Sequence, residues 1–231
     1  VEISGISLGG GASSAYRINV DGSVSATNNF ENIELRARDS LFIFVEVKVN
    51  PQATNAPVFI KDSILFNTNS NRQNIKLLAY GQNMEVFRNK FILNDTTLTA
   101  DKPYLIYGYL AVDTNKTLTL NPGCRLYFHN KANMIVYGNL QANGTREKPV
   151  LIRGDRTDRI FPDIPYNLVS NQWGSIQLLN KDGKHKLNFV NMNSGYAGIY
   201  FSNTDRNSAP SLEISNCRIH NFAKYGLVVQ N

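Results

Sequence analysis

The stretch LNFVNMNSGYAGIYFSN (187–203) returns in altered form as LEISNCRIHNFAKYGLVVQN (212–231). Phe189 falls on Ile214, Asn191 on Asn216, Met192 on Cys217 and Gly198 on Gly226, at an offset of 25 to 28 residues. A period of that length, with about three short apolar segments and Asn or Gly at the corners, is too short for a propeller blade. It fits a right-handed parallel β-helix, in which each rung buries its apolar side against the next. Stacked rungs would bring Asn191 and Asn216 about 4.8 Å apart and let their amides bond in a ladder. Phe189, Ile214, Met192 and Cys217 would then point inward.

The same grammar extends upstream. MIVYGNLQANG (134–144) echoes YLIYGYLAVDT (104–114), at an offset of about 30, and each is followed by another short strand, PVLIRGD (149–155) or TLTLNPG (117–123). Rungs are therefore expected over residues 104–231. The chain ends at GLVVQN in mid-rung, which would leave an open strand edge, so a continuation is expected. Residues 1–82 read differently, as longer alternating strands (EISGISL, AYRINV, LFIFVEVKV, VFIKDSILF, NIKLLAYG) punctuated by VDGS and NTNSNRQN. That is the rhythm of a β-sandwich. In LFIFVEVKV, residues 41, 43, 45, 47 and 49 share one face, and Phe42, Phe44, Glu46 and Lys48 the other. The expected organisation is all-β: a sandwich over 1–88, a linker or N-terminal cap over 89–103 closed by DKPY, and β-helix rungs over 104–231, incomplete at the C-terminus.

Composition narrows the function. The longest apolar run, LFIFVEVKV, is too short and too alternating to cross a bilayer, so no transmembrane segment is expected. The chain begins at Val1 without Met or a leader, which reads as a product whose targeting signal lies upstream. Residues 1–88 hold eight Lys/Arg and eight Asp/Glu, whereas residues 89–231 hold sixteen against ten, so the whole excess of +6 lies in the second half. Nine of the eleven Tyr and the single Trp are there as well, which suits an anionic or sugar-like partner. Cys124 and Cys217 lack metal or redox spacing and read as two buried free thiols, with a single disulfide as the alternative. His129, His185 and His220 lie far apart without a ligand pattern, and SLGGGASS (7–14) lacks the helix and Lys of a phosphate loop and reads as a flexible turn. No cofactor, structural metal or nucleic-acid partner is expected.

One segment interrupts the rungs. IRGDRTDRIFPDIPYNLVSNQWGSIQL (152–178) concentrates three Arg, three Asp and the Trp, and is expected to carry a loop insertion at 153–173. As a binding site it would use Arg153, Asp155, Arg156, Asp158 and Arg159, with Tyr166 and Trp173 as flat faces for a sugar. As a catalytic site for acidic polysaccharide, Asp155, Asp158 and Asp163 would hold Ca²⁺ and Arg153, Arg156 or Arg159 would take a proton. A glycosidase would need two carboxyls flanking the scissile bond, and neither adjacent-Asp nor Gly-His-Gly signatures occur. No catalytic residue is therefore assigned. Arg153-Gly154-Asp155 also spells an adhesion tripeptide. The structural reading makes the loop a plug: Arg153, Asp155, Arg156 and Asp158 neutralise one another, while Trp173, Phe161 and Tyr166 clamp the loop and Pro162 and Pro165 stiffen it.

Two resemblances bear on these expectations. RDSLFIFVEVKVNP followed by DSILFNTNSNRQNIKLLAYGQ resembles the immunoglobulin-like modules of the abnormal-spindle and hydin type that precede bacterial surface domains, which implies a spacer or docking module. Residues 96–178, from TLTADKPYLIYGYL to NQWGSIQL, are similar to the β-helix domain of uncharacterised Bacteroidota surface lipoproteins. That resemblance implies an exported protein at the outer membrane or cell surface, tethered through a lipid anchor upstream. DSL (39–41), DSI (62–64) and DTT (95–97) are similar to O-glycan acceptor sites of exported Bacteroidota proteins. The expected function is a non-enzymatic surface protein that binds glycan or docks onto an outer-membrane protein complex, with a polysaccharide lyase or glycoside hydrolase as the alternative and an adhesin as the next.

Overall fold

A computed structural model describes residues 2–50, 55–180, 182–202 and 212–230. The chain is all-β and divides into two units, Val1–Asn83 and Met84–Asn231. No described helix is long and apolar enough to cross a membrane.

The first unit holds β1 (Glu2–Leu8), β2 (Tyr16–Val20), β3 (Ser23–Val24), β4 (Asn29–Glu34), β5 (Ile43–Val47), β6 (Val58–Thr68) and β7 (Asn71–Gly81). They form two antiparallel sheets, β4-β1-β6-β7 and β3-β2-β5. Ile3, Ile6 and Leu8 of β1, Tyr16, Ile18 and Val20 of β2, and Ile64 of β6 make one buried cluster shared by both sheets. Along β1 the alternation changes phase between Ile3 and Ile6, because a register shift between Ile3 and Gly5 turns the strand. Asp21 (φ 47°) and Gly22 (φ 85°) make the tight turn between β2 and β3, and Asn69 (φ 50°) and Ser70 (φ 64°) that between β6 and β7. On β5, Ile43 and Val47 pack on the cluster while Phe42 and Phe44 are exposed, as the alternation requires. Val45 departs from it: on an edge strand that pairs only with β2 among the described residues, it is exposed too. The SLGGGASS turn is pinned rather than free. The Gly10 amide (3.0 Å) and the Ser14 hydroxyl both donate to the Asp62 carboxylate.

The second unit contains β8 (Glu85–Ile92), β9 (Thr96–Leu98), β10 (Tyr104–Val112), β11 (Thr117–Leu120), β12 (Arg125–Phe128), β13 (Asn133–Val136), β14 (Asn139–Asn143), β15 (Val150–Gly154), β16 (Arg159–Phe161), β17 (Ile164–Pro165), β18 (Ile176–Leu178), β19 (His185–Asn188), β20 (Val190–Asn193), β21 (Ile199–Ser202), β22 (Leu212–Ser215), β23 (Arg218–His220) and β24 (Leu227–Gln230). Apart from the β16–β17 hairpin, its described strand pairings are parallel. Three columns result: β12-β15-β20-β23, β13-β18-β21-β24 and β9-β11-β14-β19-β22. The first two merge in β10, whose first half pairs with β12 and second half with β13. At the switch between them Gly108 takes φ 71°, a left-handed conformation open to glycine.

Each pass of the chain through the columns makes a rung that stacks like residues. Leu126 pairs with Ile152, Ile152 with Met192 and Met192 with Ile219. In the next column Met134, Ile176, Ile199 and Leu227 follow in the same way. Ile106, Leu118, Leu120, Phe128, Met134, Leu140, Ile152 and Ile176 are fully buried, which makes this interior the main apolar store of the chain.

The registers differ from the expected ones. Leu187, not Phe189, pairs with Ile214, and Asn191 pairs with Arg218 rather than stacking on Asn216. Phe189 does not join the core: it takes φ 49° at a corner. Only the match of Gly198 with Gly226 holds, where the Ile199 amide donates to the Gly226 carbonyl at 2.9 Å. Likewise Leu110 pairs with Met134 and Leu118 with Leu140, a shorter step than the expected 30. Within residues 89–103, expected as linker or cap, the end of β8 and the whole of β9 pair in parallel with β10 and β11. Residues 203–211, within the expected rungs, lie outside the described residues.

Candidate binding site

A polar column climbs one corner of the second unit. β12 ends on Phe128, which points inward, so His129 turns outward, and Asp155 does the same one rung on, after Gly154. The ladder continues past both strand ends: the His129 amide donates to the Ile106 carbonyl at 2.8 Å and the Asp155 amide to the Phe128 carbonyl at 3.1 Å. Tyr107 is paired with Arg88 on the preceding rung. Four successive rungs therefore contribute Arg88, Tyr107, His129 and Asp155.

These side chains touch in series. The Arg88 guanidinium lies 4.1 Å from the Tyr107 ring centroid, the Tyr107 and His129 rings are 4.6 Å apart at 40°, and His129 Nδ1 is 2.7 Å from Asp155 Oδ2. A carboxylate only accepts, so the bond to Asp155 places a proton on Nδ1 and leaves Nε2 outside that bond. The His129 side chain is 48% exposed and that of Asp155 22%. Arg88 and His129 both lie against the Tyr107 ring, so the column joins a guanidinium, a phenol, an imidazole and a carboxylate in one series of contacts.

The insertion starts from this column. β12 reaches β13 through residues 129–132, whereas β15 reaches β18 through residues 155–175, with the β16–β17 hairpin and a short 3-10 turn at Tyr166–Leu168 inside. Arg156 grips Asp158 through two bonds of 2.9 and 2.7 Å and lies 4.1 Å from the Tyr166 ring centroid. The bond to Asp158 raises the guanidinium above its ordinary range, and the same bond lowers the Asp158 carboxyl. Both partners are about half exposed, so the pair orders the loop more than it stabilises the fold.

The predicted site residues thus separate. Arg156, Asp158 and Tyr166 cluster. Asp155 leaves them for His129. Arg153 sits half-buried on β15, donates to the carbonyls of Gly154 (3.2 Å) and Arg156, and loses affinity for its proton through desolvation. Arg159 donates to the Pro162 carbonyl at the hairpin. The four-member neutralising network is replaced by two separate pairs.

Trp173 cannot offer a face to a sugar. It is 1% exposed, stacked on Phe128 at 4.8 Å, edge-on to Phe222, with its indole N–H donating to the Asn193 carbonyl at 2.8 Å. It is a core residue of the rungs rather than a clamp on the loop, and Phe161, 62% exposed, clamps nothing.

Asp155 and Asp158 are drawn to different partners, and no group of three His, Cys, Asp or Glu among the described residues could hold a metal. Arg156 is held protonated by its bond to Asp158. Arg153 and Gly154 of the tripeptide are strand residues of a parallel sheet, not a hairpin tip. Elsewhere Cys124 is a free thiol whose burial pushes it up to about 12.

His129, Tyr107 and Arg88 are the members that residue patterns missed. The signal that finds them is register, since His129 follows Phe128 as Asp155 follows Gly154, and Phe128 pairs with Gly154. Comparison of the chain with protein-family models, curated proteins and solved structures gives no match.

Proposed function

We propose that this chain is an exported protein of the cell surface or outer membrane, in which an immunoglobulin-like spacer carries a right-handed parallel β-helix that binds glycan along its corner column. Two antiparallel sheets sharing one core support the spacer. Three parallel columns traversed in a fixed order support the helix, and right-handedness is the rule for parallel crossovers. The observation that carries the binding reading is the Arg88–Tyr107–His129–Asp155 column: hydrogen-bonding edges held at strand spacing on a rigid scaffold, matched to a repeating hydroxylated chain. A glycan array tests it. The parent should bind a family of oligosaccharides, and His129→Ala with Asp155→Asn should abolish the signal without lowering the melting temperature by more than a degree or so, as surface changes do. Absence of any array signal sinks the reading.

Docking onto an outer-membrane protein complex is favoured by a separate observation, the exposed apolar tip of the insertion, with Ile160, Phe161 and Ile164 at 42%, 62% and 41% exposure. Photocrosslinking from position 161 on intact cells should then trap one protein partner in defined stoichiometry.

A further inference from the structure

We propose that the glycan is acidic: a polysaccharide bearing uronate carboxylates, lying along the stacking direction with one carboxylate on Arg88. The inference rests on the glycan-binding reading and specifies its ligand.

Arg88 is exposed, and no described carboxylate pairs with it. It is nevertheless held in place, its planar guanidinium lying against the Tyr107 ring in the paired position of β10. A stacked guanidinium keeps its N–H groups in the plane and free at the edge, and less freedom is lost when a two-oxygen acid group docks. Such a cation, oriented but unsatisfied, is a receptor for an anion.

The rest of the column accords with a chain rather than a single ion. Asp155 is the one carboxylate in it; it is bonded to His129, is 22% exposed, and stands at the opposite end of the column from Arg88. His129 Nε2 stands two strand spacings from Arg88, roughly 10 Å, comparable to two sugar residues of an extended polysaccharide. Tyr107 lies between them in the series of contacts. Half-buried Arg153, two residues before Asp155, and the excess of sixteen Lys/Arg over ten Asp/Glu in residues 89–231 add a positive field.

Titration calorimetry with oligogalacturonate and with a neutral oligosaccharide of equal length tests the assignment. The acidic oligomer should bind, should weaken as salt rises, and should lose about tenfold in affinity with Arg88→Gln. The melting temperature should stay at the parental value, and Arg17→Gln on the first unit should change nothing. Equal binding of the neutral oligomer with no effect of Arg88→Gln overturns the acidic assignment and leaves glycan binding standing. Binding of neither oligomer, together with a blank array, overturns both.

Discussion

Phe189 and Asn216 occupy the same left-handed corner on successive rungs, with φ of 49° and 55°. The residues before them, Asn188 and Ser215, are paired in register, and Asn216 Nδ2 donates back to Asn188 Oδ1 at 3.0 Å. The corner is thus defined by backbone and not by a shared side chain. Asparagine tolerates this conformation and phenylalanine resists it, so Asn216 supplies both a favourable backbone and a bond to the rung before. Asn216→Ala should cost roughly 1–2 kcal/mol, and Asn216→Gly less, since glycine keeps the backbone and loses only the amide bond. Urea denaturation of the three proteins measures the split.

That corner also explains what could be read in the sequence. Apolar alternation in TLTL, RLYF and NMIV announces short strands buried on one side, and the all-β character follows. Matching Asn191 to Asn216 fails because it aligns side-chain identity, whereas stacking aligns positive φ, which Phe189 hides. The insertion hides more: Met134 pairs with Ile176 across the whole of it, so the regular step is broken where the repeats would be compared. The loop was legible as a cluster because its charges are contiguous. The column was not, because Arg88, Tyr107, His129 and Asp155 contribute one residue per rung and meet only once the register is known.

Trp173 sets the second expectation. Stacked on Phe128 and bonded to the Asn193 carbonyl, it fills the interior where the insertion rejoins the rungs. Trp173→Ala should cost about 3–5 kcal/mol. Trp173→Phe, which keeps the stack and loses the indole bond, should cost less. A Trp173→Ala protein with the parental denaturation midpoint would contradict this packing.

His185 gives a pH dependence. It is 2% exposed, accepts the Leu140 amide on Nδ1 at 3.3 Å, and lies edge-on to Phe201. Desolvation lowers its folded pKa below the ordinary 6.5, although its contact with the Asn180 carbonyl opposes the shift. Below 6.5 the unfolded chain takes up a proton that the folded protein refuses, so the stability associated with neutral His185 is present above that pH and is lost as pH falls toward the lowered folded value. Denaturation midpoints at pH 7.5 and pH 5 should therefore differ more in the parent than in His185→Gln. An identical pH response of the two proteins would remove His185 as the cause.

Gly108 and Asn89 face each other where one long strand hands over to two columns. Gly108 has φ 71° and Asn89 φ 47°, and a Cβ added at Gly108 would stand 2.0 Å from Asn89 Oδ1. Two costs are therefore superposed in Gly108→Ala: the left-handed backbone of a non-glycine residue, about 1–2 kcal/mol, and the collision with the amide. Asn89→Gly removes the collision alone and favours its own positive φ. A double-mutant cycle separates them. Gly108→Ala should destabilise more in the parental background than in Asn89→Gly, with the residual loss reporting the backbone conformation. Equal losses in the two backgrounds would mean that the Asn89 side chain swings aside without cost, leaving the left-handed conformation as the whole reason for glycine at this switch.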